Sequence, residues 1–317
     1  MKWGTMAITM AAEAHLAIEV QGLRKQYGDK QALDGLDLSV QQDEIFALLG
    51  PNGAGKTTTV EILEGYRRRD AGSVRVLGVD PARADRAWRS RIGIVTQSAT
   101  DQPELTVGEI VHHFARYYPD PRDPDEVIGA VGLTEKVRSR ISELSGGQRR
   151  RLDVALGILG RPELLFLDEP TTGFDPEARR SFWDLLAGLR HGGTTILLTT
   201  HYLDEAQHLA DRVAVVRDGR VLALATPADL GGRAVQRAIV RWTEPGPDGG
   251  SVRHCEERTD APEAFIRALK ARKGLAADAE VPGLEVLRPS LEDVYLEMID
   301  EPAGAGQAVA APGGTAR

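Results

Sequence analysis

The feature that most constrains this chain is the run Gly50-Pro51-Asn52-Gly53-Ala54-Gly55-Lys56-Thr57. It follows a short apolar segment, Glu44 to Leu49, and opens a segment with helical patterning. The glycines let the backbone fold around a point and aim its N–H groups at it, a geometry suited to phosphate oxygens. A helix beginning at the end of the loop adds the positive end of its dipole. Lys56 brings a cation with reach, the Thr57 hydroxyl can ligate Mg²⁺, and Thr58 follows in the same turn. Glycines in an ordinary strand-to-helix turn would lack the lysine and hydroxyl at these spacings. With both flanks and every fixed position present, the run reads as a phosphate-binding P-loop.

Such a loop implies an α/β domain, and the pattern from Leu16 to about Leu224 agrees. Glu44–Leu49, Arg91–Gln97, Leu164–Asp168 and Thr194–Thr200 read as core strands, and the alternation with helical segments predicts a largely parallel sheet. Val107, Ile110, Val111 and Phe114 recur at helical spacing, as do Phe182, Leu185, Leu186 and Leu189. Val213–Val216 and Val221–Leu224 flank Asp218-Gly219, a dipeptide suited to a tight hairpin. The nucleotide-binding domain is expected over residues 16–230, after a flexible extension over 1–15.

A small α+β domain is expected over 231–301. Strands are predicted within Ala234–Trp242 and Ser251–Cys255, and a helix near Ala261–Ala271. Ser290 with Asp293 resembles a capping box ahead of the apolar stripe Leu291, Val294, Tyr295, Met298 and Ile299. Residues 302–317, rich in Ala, Gly and Pro, predict a disordered tail.

Composition narrows the class. The 317 residues are 42% hydrophobic, enough for packed cores. Apolar runs such as Val213–Val216 fall far short of the roughly 18 residues of a membrane span. With Lys2 as the one early cation and Glu13 and His15 interrupting the mildly apolar stretch from Met6 to Ala12, no secretory signal is expected. A net charge of −8 supplies no basic footprint, so nucleic acid is not an expected partner. Cys255 is the single cysteine, which suits a reducing cytoplasm, and no Cys/His spacing suggests zinc.

Two further motifs carry chemistry. Leu164–Leu167 ends in Asp168-Glu169-Pro170, which puts two carboxylates at the C-terminal edge of a buried strand, where open α/β sheets bind ligands. Asp168 is the candidate for the Mg²⁺ shell and Glu169 for the general base. Leu144-Ser145-Gly146-Gly147-Gln148 begins a helical run, and its hydroxyl and N–H groups could meet a phosphate. One exposed helix terminus contributes only about 0.3–1 kcal/mol, so this motif must assist a site built elsewhere.

These three motifs, in this order and spacing, resemble the ABC ATPase family over residues 16 to about 230. The resemblance implies a P-loop NTPase core with a helical subdomain, ATP and Mg²⁺ as ligands, and several residues by position. Tyr27 resembles the aromatic that stacks on adenine. Gln97 resembles the Q-loop glutamine that touches Mg²⁺ and the transport interface. Thr172-Gly173-Phe174-Asp175 resembles the D-loop, with Phe174 where leucine is commoner, and His201 resembles the switch histidine. Arg149, Arg150 and Arg151 read as a solvated or interface-supporting helix start without a catalytic role.

The family implies a head-to-tail homodimer in which the P-loop of one chain and the signature pentapeptide of the other, Leu144–Gln148, enclose each ATP. It also implies a permease on a separate chain and a peripheral position on the cytoplasmic face of the membrane. No long insertion separates Thr57 from Leu144, unlike chromosome-maintenance relatives, and one motif set is present, where ribosome-acting relatives usually carry two. The block Leu287–Glu297, with Leu144–Val154, is similar to daunorubicin-type drug-resistance exporters. That similarity implies export of a drug or amphipathic metabolite; the alternatives are lipid or polysaccharide export, import, or a non-transport ABC ATPase acting on nucleic acid or ribosomes.

Overall fold

Strands buried on both faces need no polar alternation, and the apolar runs of this chain take that form. The computed structural model describes residues 16–96, 102–230, 238–245, 252–276, 279–287 and 290–300. It divides between Leu224 and Ala225 into two compact units.

In the first unit, β1 (Leu16–Tyr27) and β2 (Lys30–Gln41) pair as an antiparallel hairpin turning at Gly28. β3 (Ile45–Leu49) leads into the glycine loop and α1 (Lys56–Leu63). β4 (Ala71–Val76) then pairs antiparallel with β1, giving a sheet of order β2-β1-β4. After α2 (Arg86–Arg89), β5 (Ile92–Val95) joins the second sheet. Among the described residues, three α-helices precede the next strand: α3 (Val107–Ala115), α4 (Pro124–Ala130) and α5 (Gly146–Ile158), which pack on one another. A capping box between Thr106 and Glu109 starts α3.

β6 (Leu164–Asp168), α6 (Pro176–His191), β7 (Thr195–Thr200), α7 (Leu203–Leu209), β8 (Arg212–Arg217) and β9 (Arg220–Ala225) complete the unit. The strand order is β5-β6-β7-β3-β8-β9, and the pairs from β5 through β8 run parallel. Asp218 and Gly219 both take positive φ, 49° and 73°, as a tight turn between β8 and β9 requires.

The predicted strands and helices of this unit are present. The antiparallel β2-β1-β4 sheet is the addition to the expected parallel one. Its strands alternate only in part, because register shifts interrupt the β1–β2 ladder between Val20 and Leu23 and again nearer the turn. Both sheets share a core with α1: Ile18 and Leu23 of β1, Leu36 of β2, Phe46 of β3, Val60 and Leu63 of α1, Phe166 of β6 and Val216 of β8 belong to one buried cluster. Each such side chain contributes about 1.5–3 kcal/mol by leaving water, so the glycine loop is anchored at both ends.

In the second unit, β10 (Ala238–Pro245) pairs antiparallel with β11 (Val252–Thr259) and with β12 (Glu285–Leu287). α8 (Pro262–Arg272) covers β10, with Trp242 packed on Phe265 at 5.6 Å between ring centroids and Val240 beside Leu269. α9 (Leu291–Asp300) begins with the expected capping box: the Ser290 N–H donates to Asp293 Oδ2 at 2.7 Å, and the Asp293 N–H donates to Ser290 Oγ at 3.1 Å. Leu291 and Val294 are buried, as the apolar stripe predicts. The parts of the predicted strands over 234–237 and at Ser251 lie outside the described residues, as do the 1–15 extension and the 302–317 tail.

Candidate functional site

The glycine loop leaves the buried end of β3 and is pinned on both sides. A Cβ at Gly50 would stand 2.3 Å from the Val216 carbonyl oxygen, so only glycine lets the loop pass β8. At Gly55, φ is 108° and a Cβ would meet the Ala32 carbonyl oxygen at 2.7 Å. The Gly219 N–H donates to the Ala54 oxygen at 3.0 Å, and the Thr59 N–H donates to the Gly55 oxygen at 2.9 Å, which starts α1. Lys56 is only 7% exposed, and its Nζ donates to the carbonyl oxygens of Gly50 at 2.7 Å and Pro51 at 3.2 Å. Burial pushes its pKa down, and the nearby charges of Glu169 and Asp168 oppose that shift.

The carboxylates come from the end of β6, two strands from β3. Asp168 Oδ1 accepts from the Thr199 hydroxyl at 2.5 Å. Glu169 takes a left-handed backbone, φ 46°, an uncommon conformation for a residue with a side chain. Its N–H donates to both the carbonyl and the hydroxyl oxygen of Thr199, each at 3.1 Å. Its Oε1 lies 3.3 Å from Nδ1 of His201, which sits just past β7. Since β6, β7 and β3 are adjacent and parallel, their carboxyl ends bring Glu169, His201 and Lys56 to one edge.

A cleft of about 410 Å³ opens there, lined by Tyr27, Lys30, Ala32, Asn52, Gly53, Gly55, Lys56, Thr57, Thr58, Asp168 and Glu169. Tyr27 is 38% exposed, with Arg67 over its ring at 5.2 Å, and reaches this cleft from the end of β1. Thr57 and Asp168 present hard oxygen donors of the kind Mg²⁺ takes.

The Ser145–Gln148 motif lies elsewhere on the same unit. Ser145 caps α5, its Oγ accepting from the Gln148 N–H at 3.3 Å, and Gln148 Oε1 accepts from the Ser145 N–H at 3.1 Å. Asp175 caps α6 by accepting from the N–H groups of Glu177 at 3.0 Å and Ala178 at 2.8 Å. Ser145, Gly146, Gly147 and Gln148 face Asp175 across a cleft of about 450 Å³ that shares no lining residue with the first. Phe174, in place of the commoner leucine, is buried edge-on against Phe182 at 5.5 Å.

A family model described as ABC transporter matches residues 33–172. The daunorubicin resistance ATP-binding protein DrrA3 of Streptomyces coeruleorubidus is 40% identical over 306 residues, spanning 90% of this chain and 96% of that one. The chain belongs to the ATP-binding subunits of ABC transporters. The Nod factor export ATP-binding protein I of Ralstonia nicotianae is 37% identical over 89% of this chain and 93% of its own. Among solved structures, an ATP-binding subunit of an ABC transporter shares the fold at 22% identity, with a TM-score of 0.65 over 89% of this chain and 99% of that chain. The cbiO1 protein of Clostridium perfringens, part of the ABC transporter complex cbiONQ, is 29% identical, with a TM-score of 0.62 over 68% and 90%. As an ABC ATP-binding subunit, the chain binds ATP and couples its hydrolysis to transport.

In this ABC subunit, Tyr27, Asn52, Gly53, Gly55, Lys56, Thr57, Thr58, Asp168 and Glu169 share one cleft, and His201 joins them through Glu169. Ser145–Gln148 and Asp175 form the other. Gln97 lies outside the described residues. Three contributors escaped sequence reasoning. Lys30 lines the first cleft, and Thr199 holds both carboxylate residues. Arg150, expected at a solvated or interface-supporting helix start, is buried within the unit, 8% exposed, with its guanidinium on backbone carbonyls. Among the described residues no helix is long and apolar enough to cross a membrane.

Proposed function

We propose that the cleft between Tyr27 and Glu169 binds ATP with Mg²⁺ and that hydrolysis drives export of a drug or amphipathic metabolite through a separate membrane-spanning subunit. The observation that carries this reading is the convergence of Lys56, Asp168, Glu169 and His201 at the carboxyl edge of three adjacent parallel strands. The loop N–H groups and Lys56 take the β- and γ-phosphates, and Tyr27 offers its ring to the adenine. Mg²⁺ would be held by the Thr57 hydroxyl and an Asp168 oxygen, where it neutralises phosphate charge.

Glu169 accepts the proton of a water that attacks the γ-phosphorus. The new P–O bond replaces the bond to ADP, and His201 orients the Glu169 carboxylate from 3.3 Å. The separation of the P-loop cleft from the Ser145 cleft supports a dimer in which a second copy's signature closes on each bound ATP. The relatives named for daunorubicin resistance and for Nod factor export support the export direction. A place on the cytoplasmic face of the membrane, beside the membrane-spanning subunit, follows from that role.

The test is Glu169→Gln. ATP binding should persist while steady-state turnover falls by about 10²- to 10⁴-fold. Near-normal turnover removes Glu169 from the base role. Direction is tested with inside-out vesicles holding the subunit and its membrane partner: ATP-dependent uptake of an amphipathic drug supports export, and ATP-dependent efflux from them contradicts it.

A further inference from the structure

Arg150 is the middle member of an arginine run at the start of α5, a setting that normally keeps all three side chains in water. Its guanidinium instead sits among three carbonyls at or just past the ends of β5 and β6. Nε donates to the Pro170 oxygen at 3.2 Å, one terminal nitrogen donates to the Thr96 oxygen, and the other donates to the Asp168 oxygen. Two of these acceptors belong to the residues on either side of Glu169, and the third, Thr96, directly follows β5. One side chain on the helix that Ser145 caps therefore holds the carbonyls of both sequence neighbours of the residue whose backbone is held at φ 46°.

We propose that Arg150 is a positioning residue: it fixes the backbone around Glu169 and ties that backbone to the helix whose first turn carries Ser145. This rests on the reading of Glu169 as the base. Burying a cation is costly, and an arginine stays charged, so the site must return that cost. Asp153, Asp168, Glu205 and Glu169 supply opposing charge around it. Charge balance alone would be met by any cation, whereas three divergent carbonyls need the planar fork of a guanidinium. A lysine ammonium is a compact donor on a flexible stem and cannot span them. A shift of α5 as a second chain engages Ser145 would reach Glu169 through this fork, so closure of the dimer and placement of the base are one movement.

The experiment compares Arg150→Lys and Arg150→Gln with the parent protein and with Glu169→Gln, each also combined with Glu169→Gln. Turnover, KM for ATP and the thermal midpoint are measured for all. The expected result is a fall in kcat of about 10- to 100-fold in both Arg150 variants, the size of a small misplacement of a reacting group. KM should stay within about threefold, because Lys56 and its loop are untouched. In the Glu169→Gln background the same substitutions should cost almost nothing further, since their target is already gone. Lower thermal midpoints with parental kcat per folded protein would make Arg150 a packing residue and overturn the proposal, as would losses that multiply with Glu169→Gln. If one variant does not fold, the other carries the comparison. Near-normal turnover of Glu169→Gln alone sinks the base reading and this proposal with it, whereas a slow Glu169→Gln beside a normal Arg150→Lys sinks only the role of Arg150.

Discussion

The Thr199 hydroxyl joins the two carboxylate residues, donating to Asp168 Oδ1 at 2.5 Å and accepting from the Glu169 N–H at 3.1 Å. Thr199 is fully buried in β7, so neither bond can be replaced readily by water. Thr199→Val keeps the shape and removes the hydroxyl. It should cost about 1–3 kcal/mol, the range for leaving a buried polar partner unsatisfied. Asp168 would also lose the contact that orients it, so hydrolysis should need more Mg²⁺. Urea unfolding and Mg²⁺ titration of the ATPase rate check both parts; an unchanged Mg²⁺ requirement would show that Asp168 is oriented by other means.

Lys56 is buried and already held on the loop, which makes it a preorganised cation rather than a surface one. Lys56→Ala removes a charge-assisted contact worth about 1.5–3 kcal/mol, so ATP affinity should fall by roughly 10- to 100-fold. Direct titration with a fluorescent ATP analogue measures it. Unchanged affinity in a folded variant would contradict phosphate binding by this loop.

Glu64, at the C-terminal end of α1, supplies a pH dependence. Burial, with the charges of Asp168 and Glu61, pushes its carboxyl up to about 8. In an unfolded chain a glutamate titrates near about 4.3. Because the folded protein holds this proton more tightly, the stability it contributes is full below about pH 4.3 and is lost as pH rises through 8. Glu64→Gln cannot ionise, so its advantage over the parent should grow across that window and level off above it. Thermal midpoints of both proteins from pH 5 to 9 test this; parallel curves would place the Glu64 carboxyl in an ordinary solvated setting.

How far the sequence reaches can be seen residue by residue. Leu164–Leu167 is fully buried, so its unbroken apolar run is itself the sign of a central parallel strand, and Asp168-Glu169 at its end could be read directly. The P-loop was legible because its constraints are local: a strand, left-handed glycines and a helix start. The β1–β2 hairpin was not, because its register shifts break the period-2 signal. Arg150 reads as solvated or interface-supporting from sequence because its acceptors lie 18, 20 and 54 residues away, at or just past the ends of strands that only folding brings beside α5. Thr199 shares that cause: a threonine in a buried strand is ordinary until the neighbouring strand places a carboxylate opposite it.

One chain keeps its two clefts apart. The P-loop cleft holds the Lys56 cation, the Thr57 hydroxyl and the Asp168 and Glu169 carboxylates, yet the Ser145 motif, a hydroxyl and N–H groups at the start of a long helix, lines a different surface. If a second copy supplies Ser145 to each bound ATP, a site belongs to two chains, and damage can be sorted between them. A Lys56→Ala chain has a poor P-loop and a sound signature; a Ser145→Arg chain has the reverse, its arginine also displacing the cap on Gln148. In a mixed dimer, one composite site pairs the two damaged halves and the other pairs the two sound ones. ATPase activity of the mixture should therefore exceed the average of the two variants measured separately, with a maximum near equal proportions. A straight line between the two pure variants, under conditions where chains are shown to exchange, would mean that each chain completes its own site and that the separation of the clefts has another purpose.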